Sequence, residues 1–351
     1  MSDSGTDDRD GPRDESADYD VVVVGGGPAG CSAAIFAARY GLDAVVFDRG
    51  RSSIRQCAYL ENYLGFPAGV GIETFYELMH DHVTTAGCEL VADLVASVSR
   101  DEETGALLVE TEDDRRVSAT RVVAATRYDA DYLRSLGGGA LFESVTDDSD
   151  DGDDDSEENG TGDDSEESGT GDDAEETGND ERGRFDRAAV KFDGTTPIDG
   201  LYVASPTDES DRQAVIAAGR GARVGLAVVR DARRDEGYVE SVADHYDWMR
   251  REAARDDEWD DRDRWREYYD GHRPEETDVD DADADDADVD DARWATLRER
   301  DIDRRLEMYL SDDEIAARTE RGQRRLLAHV DDDLVLERAR EIEADAAEVS
   351  R

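Results

Sequence analysis

The stretch Val21-Val22-Val23-Val24-Gly25-Gly26-Gly27-Pro28-Ala29-Gly30 decides how the first part of this chain folds. Four consecutive valines predict a buried strand of a parallel sheet. The alanine-rich segment that follows predicts a closely packed helix. A glycine turn between such a strand and such a helix is typical of a dinucleotide-binding βαβ unit.

The spacing of the glycines and of the next acidic residue strengthens this interpretation. Gly25 permits the tight turn, Gly27 lets the backbone approach a pyrophosphate, and Gly30 lets helix and strand pack closely. Asp48 ends the next apolar run, 18 residues after Gly30, where an acid accepts hydrogen bonds from an adenosine ribose. The alternative is a glycine turn that holds no ligand.

The composition is strongly acidic. The 351 residues include 93 Asp and Glu against 41 Lys and Arg, which gives a net charge of −52. This charge opposes compaction in dilute buffer, but at 1 M salt the screening length is only about 3 Å. We therefore expect a halophilic cytoplasmic protein, with an ordinary protein that carries acidic tails as the alternative.

The same charge argues against some partners. A negative field disfavours nucleic acid and anionic membranes, and no apolar stretch approaches the roughly 20 residues of a membrane span. The three cysteines lie far apart, which indicates a reducing compartment rather than a disulfide framework. The five histidines are scattered and predict no metal site.

Two further segments carry a resemblance to a known family. Glu61–Pro67 closely resembles the segment of thioredoxin-reductase-like flavoproteins that passes beside the isoalloxazine. Arg212–Ala222 resembles their closing helix, whose N-terminus faces the flavin pyrimidine. The match covers roughly residues 19–135 and 197–232. It implies an FAD-binding domain of the pyridine nucleotide-disulfide oxidoreductase superfamily, an α/β fold with a parallel sheet and an antiparallel meander.

The resemblance also implies roles for individual residues. The pyrophosphate would lie against the glycine turn, the ribose against Asp48, the adenine near the backbone of Val95, and the isoalloxazine beside three residues from the two motifs. The cofactor-binding residues implied in this way are Gly25, Gly27, Pro28, Ala29, Gly30, Asp48, Asn62, Val95, Thr126, Ser205, Gln213 and Ala214.

The chain also departs from the family pattern. It has no second GxGxxG unit and no CxxC motif, and only about 65 residues separate Tyr132 from Pro197, where the family inserts its NADPH-binding domain. The family's Ala-Thr-Gly reads Ala125-Thr126-Arg127, and its Gly-Asp, whose Asp binds the ribityl chain, reads Ala204-Ser205. The chain thus resembles a flavin domain without its NADPH partner domain.

Cys57 is the one candidate for covalent redox chemistry. It follows Asp48 by nine residues, in the region where related flavoenzymes keep a redox cysteine. A lone thiol can form a sulfenate or a flavin adduct. The alternative is an ordinary loop cysteine, and Cys31 and Cys88 are predicted to serve packing.

The predicted organisation alternates ordered and acidic segments. Residues 1–18 are predicted to be a disordered acidic tail, 19–144 and 185–235 the two parts of the FAD-binding domain, and 145–184 a disordered acidic repeat. Residues 236–351 are predicted to form a helical extension with an acidic linker at 275–292. This extension contains all four tryptophans, for which docking onto the main domain is favoured over a partner surface.

Two functions remain open at this point. The first is an FAD-dependent oxidoreductase that exchanges electrons with a small molecule or a partner protein, with NAD(P)H as a diffusible reductant. The second is a flavin- or nucleotide-binding module without turnover, acting as a scaffold or sensor. A homodimer is also left open.

Overall fold

The first strand, turn and helix lie where the sequence predicts them. The computed structural model describes residues 17–127, 130–136, 138–142, 185–207, 210–255, 259–273 and 291–349. Within it, β1 (Tyr19–Val24) leads into α1 (Pro28–Tyr40) and β2 (Ala44–Phe47). Strand β1 is parallel to β2, and its four valines are buried. The predicted acidic tail up to residue 16, the acidic repeat and most of the acidic linker lie outside the described residues.

The middle of the domain contains two short strands, one helix and a meander. These elements are β3 (Tyr59–Leu60), β4 (Val70–Gly71), α2 (Ile72–Thr85), β5 (Glu89–Val91), β6 (Val95–Arg100), β7 (Leu107–Thr111) and β8 (Arg116–Ala124). From the sequence, one strand is predicted over roughly residues 90–98, and this prediction is wrong because two strands lie there. Strand β5 pairs with β2 at the edge of the parallel sheet, and the chain then turns at Asp93 before β6 begins the meander.

Strand β8 joins the two parts of the sheet. The strand order is β5-β2-β1-β8-β7-β6, and β8 pairs with β1 in parallel and with β7 in antiparallel. The returning strand β9 (Leu201–Val203) adds in parallel beside the end of β8. The expected antiparallel meander and the return to the parallel sheet are therefore confirmed.

The region that follows β8 packs on one face of the sheet. It contains a 3-10 turn (Asp131–Leu136) and α3 (Gly138–Leu141). Tyr132, Leu133 and Leu141 join the core below the sheet. Phe142 and Phe185 then form an antiparallel bridge. The last described residue before position 143 and the first after position 184 therefore lie side by side. The ring centroids of the two phenylalanines are 5.8 Å apart.

The other face of the sheet is covered by α1 and the long helix α4 (Ala214–Glu236). These helices approach closely because small residues meet at their crossing. A Cβ atom on Gly221 would lie 2.0 Å from the carbonyl oxygen of Ala29, and one on Gly225 would lie 2.7 Å from that of Ala33. Backbone therefore touches backbone along this crossing.

The C-terminal extension has a core of its own. Its elements are α5 (Glu240–Ala243), β10 (Arg250–Arg251), α6 (Arg262–Asp270), α7 (Asp291–Glu307), β11 (Tyr309–Leu310), α8 (Asp312–Leu327) and α9 (Asp332–Val349). Trp265 and Trp294 are buried together in a separate cluster, whereas Trp248 is 66% exposed. Most of the tryptophans therefore serve packing. They pack mainly within the extension itself and less against the main sheet. None of the helices in the described ranges is long and apolar enough to cross a bilayer.

A buried ion pair joins the extension to α4. The Arg233 guanidinium donates to Asp301 Oδ1 at 2.7 Å, and the two side chains are only 0% and 3% exposed. Asp301 also accepts hydrogen bonds from Tyr269 and Arg305. Burial tends to raise the pKa of Asp301, but its two arginine partners hold the pKa below the usual value. The carboxylate therefore stays charged where α4 meets the extension.

Candidate dinucleotide site

The glycine turn has the geometry that a dinucleotide-binding unit requires. Gly25 has a φ of 112°, in the left-handed region that favours glycine, and a Cβ atom there would lie 2.6 Å from the carbonyl oxygen of Ala125. A Cβ on Gly30 would lie 1.8 Å from the carbonyl oxygen of Gly25. Gly27 is the N-cap of α1 and Pro28 its first residue. Since Gly27 has no side chain, no N-cap side chain occupies the N–H groups of the first turn.

Asp48 lies at the end of β2, beside the glycine turn. Its side chain is buried, and a Cβ on Gly26 would lie 2.6 Å from the Asp48 Cβ. The Tyr76 hydroxyl donates a hydrogen bond to Asp48 Oδ2. His80 Nε2 lies 3.5 Å from the same oxygen and 3.1 Å from the carbonyl oxygen of Gly26. Helix α2 therefore holds one carboxylate oxygen of Asp48 in place.

Tyr76 and His80 are site residues that the sequence did not reveal. They stand four residues apart on α2, with ring centroids 4.3 Å apart. Burial, followed by the hydrogen bond to Asp48, raises the pKa of Tyr76 above its usual value, so its hydroxyl remains a donor. Residues 73–86 carry apolar side chains at helical spacing and predict an amphipathic helix. The spacing of Tyr76 and His80 within it is the only signal in the sequence, and core packing explains it equally well.

The two segments that carry the flavin resemblance meet in space. Asn62 Nδ2 donates a hydrogen bond of 3.0 Å to Gln213 Oε1, across 151 positions of sequence. Gln213 is the N-cap residue of α4, and Ala214, like Tyr63 and Phe66, packs against the buried cluster that contains Phe75. The residues predicted to neighbour an isoalloxazine thus lie together at the positive end of a 23-residue helix.

The comparison with known families agrees with this geometry. Residues 19–134 match the model of the pyridine nucleotide-disulphide oxidoreductase family. The chain is similar to that family over this part of its length. The predicted resemblance to thioredoxin-reductase-like proteins is thereby confirmed.

Individual relatives match over short distances. NADPH-dependent thioredoxin reductase 3 of Arabidopsis thaliana is 34% identical over 120 residues, which are 32% of this chain and 22% of that protein. Thioredoxin reductase of Ureaplasma parvum is 31% identical over 87 residues, 24% of this chain and 28% of that protein. The chain thus spans less than a third of the length of these two relatives.

Solved structures give a broader but looser overlap. The thioredoxin reductase from Gloeobacter violaceus overlaps 62% of this chain and 96% of its own, with 16% identity and a TM-score of 0.42. The thioredoxin reductase of T. acidophilum is 31% identical over 32% of this chain and 36% of its own, with a TM-score of 0.29.

One departure from the family pattern lies at a position with a left-handed backbone. Arg127 stands where the family has glycine, and it has a φ of 68°, in the left-handed region. Its backbone N–H donates to Ser205 Oγ at 3.1 Å, and Ser205 Oγ donates to the carbonyl oxygen of Ala124 at 3.4 Å. Ser205 therefore connects the ends of β8 and β9, and its hydroxyl proton points into this connection.

Two other residues of the implied cofactor set have roles within the domain itself. Thr126 Oγ1 lies 3.1 Å from the Tyr132 hydroxyl. Val95 begins β6 with its side chain buried in the core beside Phe47, so only its backbone is left for a ligand. Thr126 follows the carboxyl end of β8, and Val95 follows that of the edge strand β5. Ligands of open α/β sheets bind outside the carboxyl ends of the parallel strands.

The three cysteines, all within residues 19–134, differ in environment. Cys31 and Cys88 are buried, and their thiols donate to the carbonyl oxygens of Gly26 and Ala34. Burial raises the pKa of Cys88 to about 12 and that of Cys31 further, so both stay protonated, in keeping with the packing role predicted for them. Cys57 is exposed at the end of a 3-10 turn, Ser53–Gln56. Across the described residues, no group of three potential metal ligands comes together.

Proposed function

We propose that this chain is an FAD-binding oxidoreductase of the thioredoxin-reductase-like type, in which electrons pass through the flavin. The observation that carries the proposal is the hydrogen bond between Asn62 and Gln213 at the N-terminus of α4. It brings two distant segments, each resembling a flavin contact, to one place. The glycine turn of residues 25–30 and Asp48 supply the second half of a dinucleotide site.

The residues around the glycine turn and Asp48 fit FAD in shape and charge. Gly25, Gly27 and Gly30 form a turn in which any side chain would collide with backbone or with Ser52, so the close turn before α1 requires glycine at these positions. We expect the α1 N-terminus to face the pyrophosphate and Asp48 Oδ1 to accept from the ribose. FAD supplies the two-electron redox chemistry when it is bound.

The residues of this chain would contribute to the redox step by positioning the flavin and by their electrostatic field. The N-terminus of α4 directs N–H donors and the positive end of the helix dipole toward the flavin side of the site, which favours the negative charge that reduction creates. Ser205 offers a hydroxyl where the family has a carboxylate, so the ribityl contact carries no charge. We expect free NADH or NADPH to reduce the flavin directly.

A second candidate is a flavin- or nucleotide-binding module without turnover. The observation that favours it is Ser205, whose hydroxyl proton is donated to the chain's own backbone. The absence of a CxxC motif from the sequence agrees with it. In this case the exposed Cys57 would be an ordinary surface thiol.

The test begins with purified protein in molar KCl and added FAD. The proposal predicts a bound flavin band in the visible spectrum, and its bleaching by NADH or NADPH without oxygen. A band that stays oxidised with either nucleotide and with dithiols supports the module instead. If the protein binds no flavin at any FAD concentration, both the oxidoreductase and the flavin-binding module are contradicted. A Cys57→Ser variant with unchanged reduction kinetics removes the thiol from the mechanism.

A matched pair of variants tests the site residues. Asp48→Asn removes a charge-assisted hydrogen bond, which is worth about 1.5–3 kcal/mol, so the Kd for FAD should rise at least about tenfold. Asp43→Asn makes the same change at the opposite end of β2 and should leave the Kd within about twofold. Equal effects of the two substitutions on the Kd would show that Asp48 does not contact the cofactor.

A further inference from the structure

Arg220 is a buried cation near the flavin end of α4, and the proposed function does not use it. Its side chain is only 6% exposed. The next residue, Gly221, lies against the carbonyl oxygen of Ala29 in the first turn of α1. Taking a guanidinium out of water costs free energy unless it is paired and hydrogen-bonded, so its partners show what it holds in place.

The guanidinium of Arg220 links the end of β9 to the residues that precede α4. Its Nη2 donates to the carbonyl oxygen of Val203, the last residue of β9, at 3.4 Å. Its Nη1 donates to Thr207 Oγ1 at 3.3 Å and lies 3.5 Å from Asp211 Oδ2. We call the described residues 204–207 and 210–213 the β9–α4 connection. One rigid, planar side chain therefore contacts both ends of this connection.

Asp211 fixes the same connection from within. Its side chain is 14% exposed, and its Oδ2 accepts hydrogen bonds from the backbone N–H of Thr207 at 3.0 Å and from Thr207 Oγ1 at 3.1 Å. Asp211 stands two residues before Gln213, the N-cap residue of α4. Ser205 and Gln213, which we expect to lie beside the flavin, are therefore both carried by a connection that Arg220 and Asp211 hold.

The charge in the β9–α4 connection differs from the family pattern. Ser205 stands where the family has the aspartate that binds the ribityl chain. Asp211 supplies a carboxylate six positions later, and this carboxylate faces the Arg220 guanidinium, so the two charges balance. Where little water is present, charges act through a low effective dielectric constant. Removal of either partner would therefore leave an unbalanced charge beside the flavin side of the site.

We propose that Arg220 and Asp211 are a pair of positioning residues that hold the β9–α4 connection and balance each other's charge beside the flavin. The inference rests on the proposed function, because it concerns the redox equilibrium of bound FAD. Asp211→Asn leaves the positive charge of Arg220, which favours the negative charge that reduction creates. Arg220→Gln leaves the negative charge of Asp211, which opposes it. The two substitutions therefore shift the equilibrium in opposite directions.

The other end of α4 provides a matched control. Arg233 and Asp301 also form a buried pair, with side chains 0% and 3% exposed, but they join α4 to the C-terminal extension. Asp301→Asn breaks this pair in the same way as Asp211→Asn breaks the first. Both substitutions should lower the Tm, because each leaves a buried arginine without its carboxylate. Only Asp211→Asn changes the charge at the flavin end.

The midpoint potential of FAD bound to the protein in molar KCl is the deciding measurement, since it needs neither the natural electron donor nor the acceptor. Asp211→Asn should raise the potential and Arg220→Gln should lower it. Each should change the ratio of the affinities for reduced and oxidised FAD at least about tenfold, which is about 30 mV for a two-electron couple. Asp301→Asn should leave this ratio within about twofold of the wild type.

Arg220→Lys separates position from charge. Lysine keeps the positive charge but lacks the planar fork that links Val203 to Thr207. The midpoint potential should therefore stay near that of the wild type, whereas the Kd for FAD should rise several-fold. Circular dichroism and thermal unfolding without FAD show which variants keep the fold. If Arg220→Gln does not fold, Asp211→Asn and Arg220→Lys still decide, because their predicted potentials differ.

Three results would overturn the proposal: shifts of the same sign in Asp211→Asn and Arg220→Gln, a wild-type potential in Asp211→Asn, or an equal shift of the potential in Asp301→Asn. Each of these leaves the proposed function intact, because FAD is still bound and reducible. A wild-type protein that binds no FAD would overturn both proposals together.

Discussion

Two glycines of α4 lie two residues apart and should respond to alanine in opposite directions. A Cβ on Gly219 would meet no atom within 4 Å, whereas one on Gly221 would lie 2.0 Å from the carbonyl oxygen of Ala29. Both residues are inside the same helix, so the gain in helix propensity is the same. The difference between the two variants therefore measures the contact between α4 and α1.

The magnitudes follow from this geometry. Alanine is favoured over glycine by about 0.8–1.0 kcal/mol in a helix interior, so Gly219→Ala should stabilise the fold by about that amount. Gly221→Ala has the same gain but must open the crossing by more than about 1 Å, and overpacking costs about 1–3 kcal/mol. Because the obstacle is backbone, which cannot change rotamer, we expect the upper end and a net loss of about 2 kcal/mol.

Thermal unfolding in molar KCl is the assay. For a domain of this size, 1 kcal/mol corresponds to about 2–4 °C, so Gly219→Ala should raise the Tm by about 2–4 °C and Gly221→Ala should lower it by about 4–8 °C. Gly221→Ala should also weaken FAD binding, because it displaces the helix whose N-terminus carries Gln213. Equal shifts of the Tm in the two variants would refute the close helix crossing.

Three further predictions concern salt, the length of one connection and pH. Lowering KCl from molar to millimolar should loosen the fold, and an unchanged circular dichroism spectrum would contradict the halophilic interpretation. Shortening the 42 residues of 143–184 to four should stabilise the fold by about 2 kcal/mol in chemical denaturation, because Phe142 and Phe185 already meet; a loss would assign the tract a structural role. Ion pairing with Arg266 lowers the pKa of Glu299 from 4.5 to about 2, so the extension should lose stability between about pH 5 and 2, and Glu299→Gln should remove that dependence.

The sign of the Glu299 effect follows from linkage. A carboxylate whose pKa is lower in the folded state stabilises the fold at pH values above its unfolded pKa. This contribution disappears as the pH falls through the folded pKa. Arg266 and Arg262 both donate to Glu299, and these bonds are lost when the carboxyl group is protonated. Near-ultraviolet absorbance of the tryptophans reports the extension separately.

Local sequence patterns predicted the first βαβ unit closely. Strand β1, helix α1 and strand β2 depend on neighbouring residues. A glycine after an alanine-rich helical segment predicts a helix end, and Gly41 ends α1 in a left-handed conformation. The pattern of Ser311 followed by Glu314 predicts a capping box, and the one at the start of α8 has both hydrogen bonds within four residues. Such signals are complete within one short window of sequence.

The contacts between distant elements could not be predicted in this way. Tyr76 reaches Asp48 only because α2 packs beside the end of β2, and its sequence neighbours give no sign of that partner. The break between β5 and β6 arises because β2 offers an edge to pair with, although no Gly or Pro interrupts residues 90–98. The separate core of Trp265 and Trp294 likewise depends on α6 and α7 meeting across a long linker.

The exposed surface beside the Asn62–Gln213 bond bears on how electrons would enter. Leu64 is 88% exposed, and Val215 and Ile216 on the first turn of α4 are each about 40% exposed. Apolar side chains at this density in an acidic protein mark a surface that other molecules contact. The sequence has no second glycine turn to bring a nucleotide to this surface from within the chain. Under the proposed function a diffusible nicotinamide nucleotide meets the flavin at this surface, so the rate of flavin reduction should rise with NADPH concentration and level off at saturation.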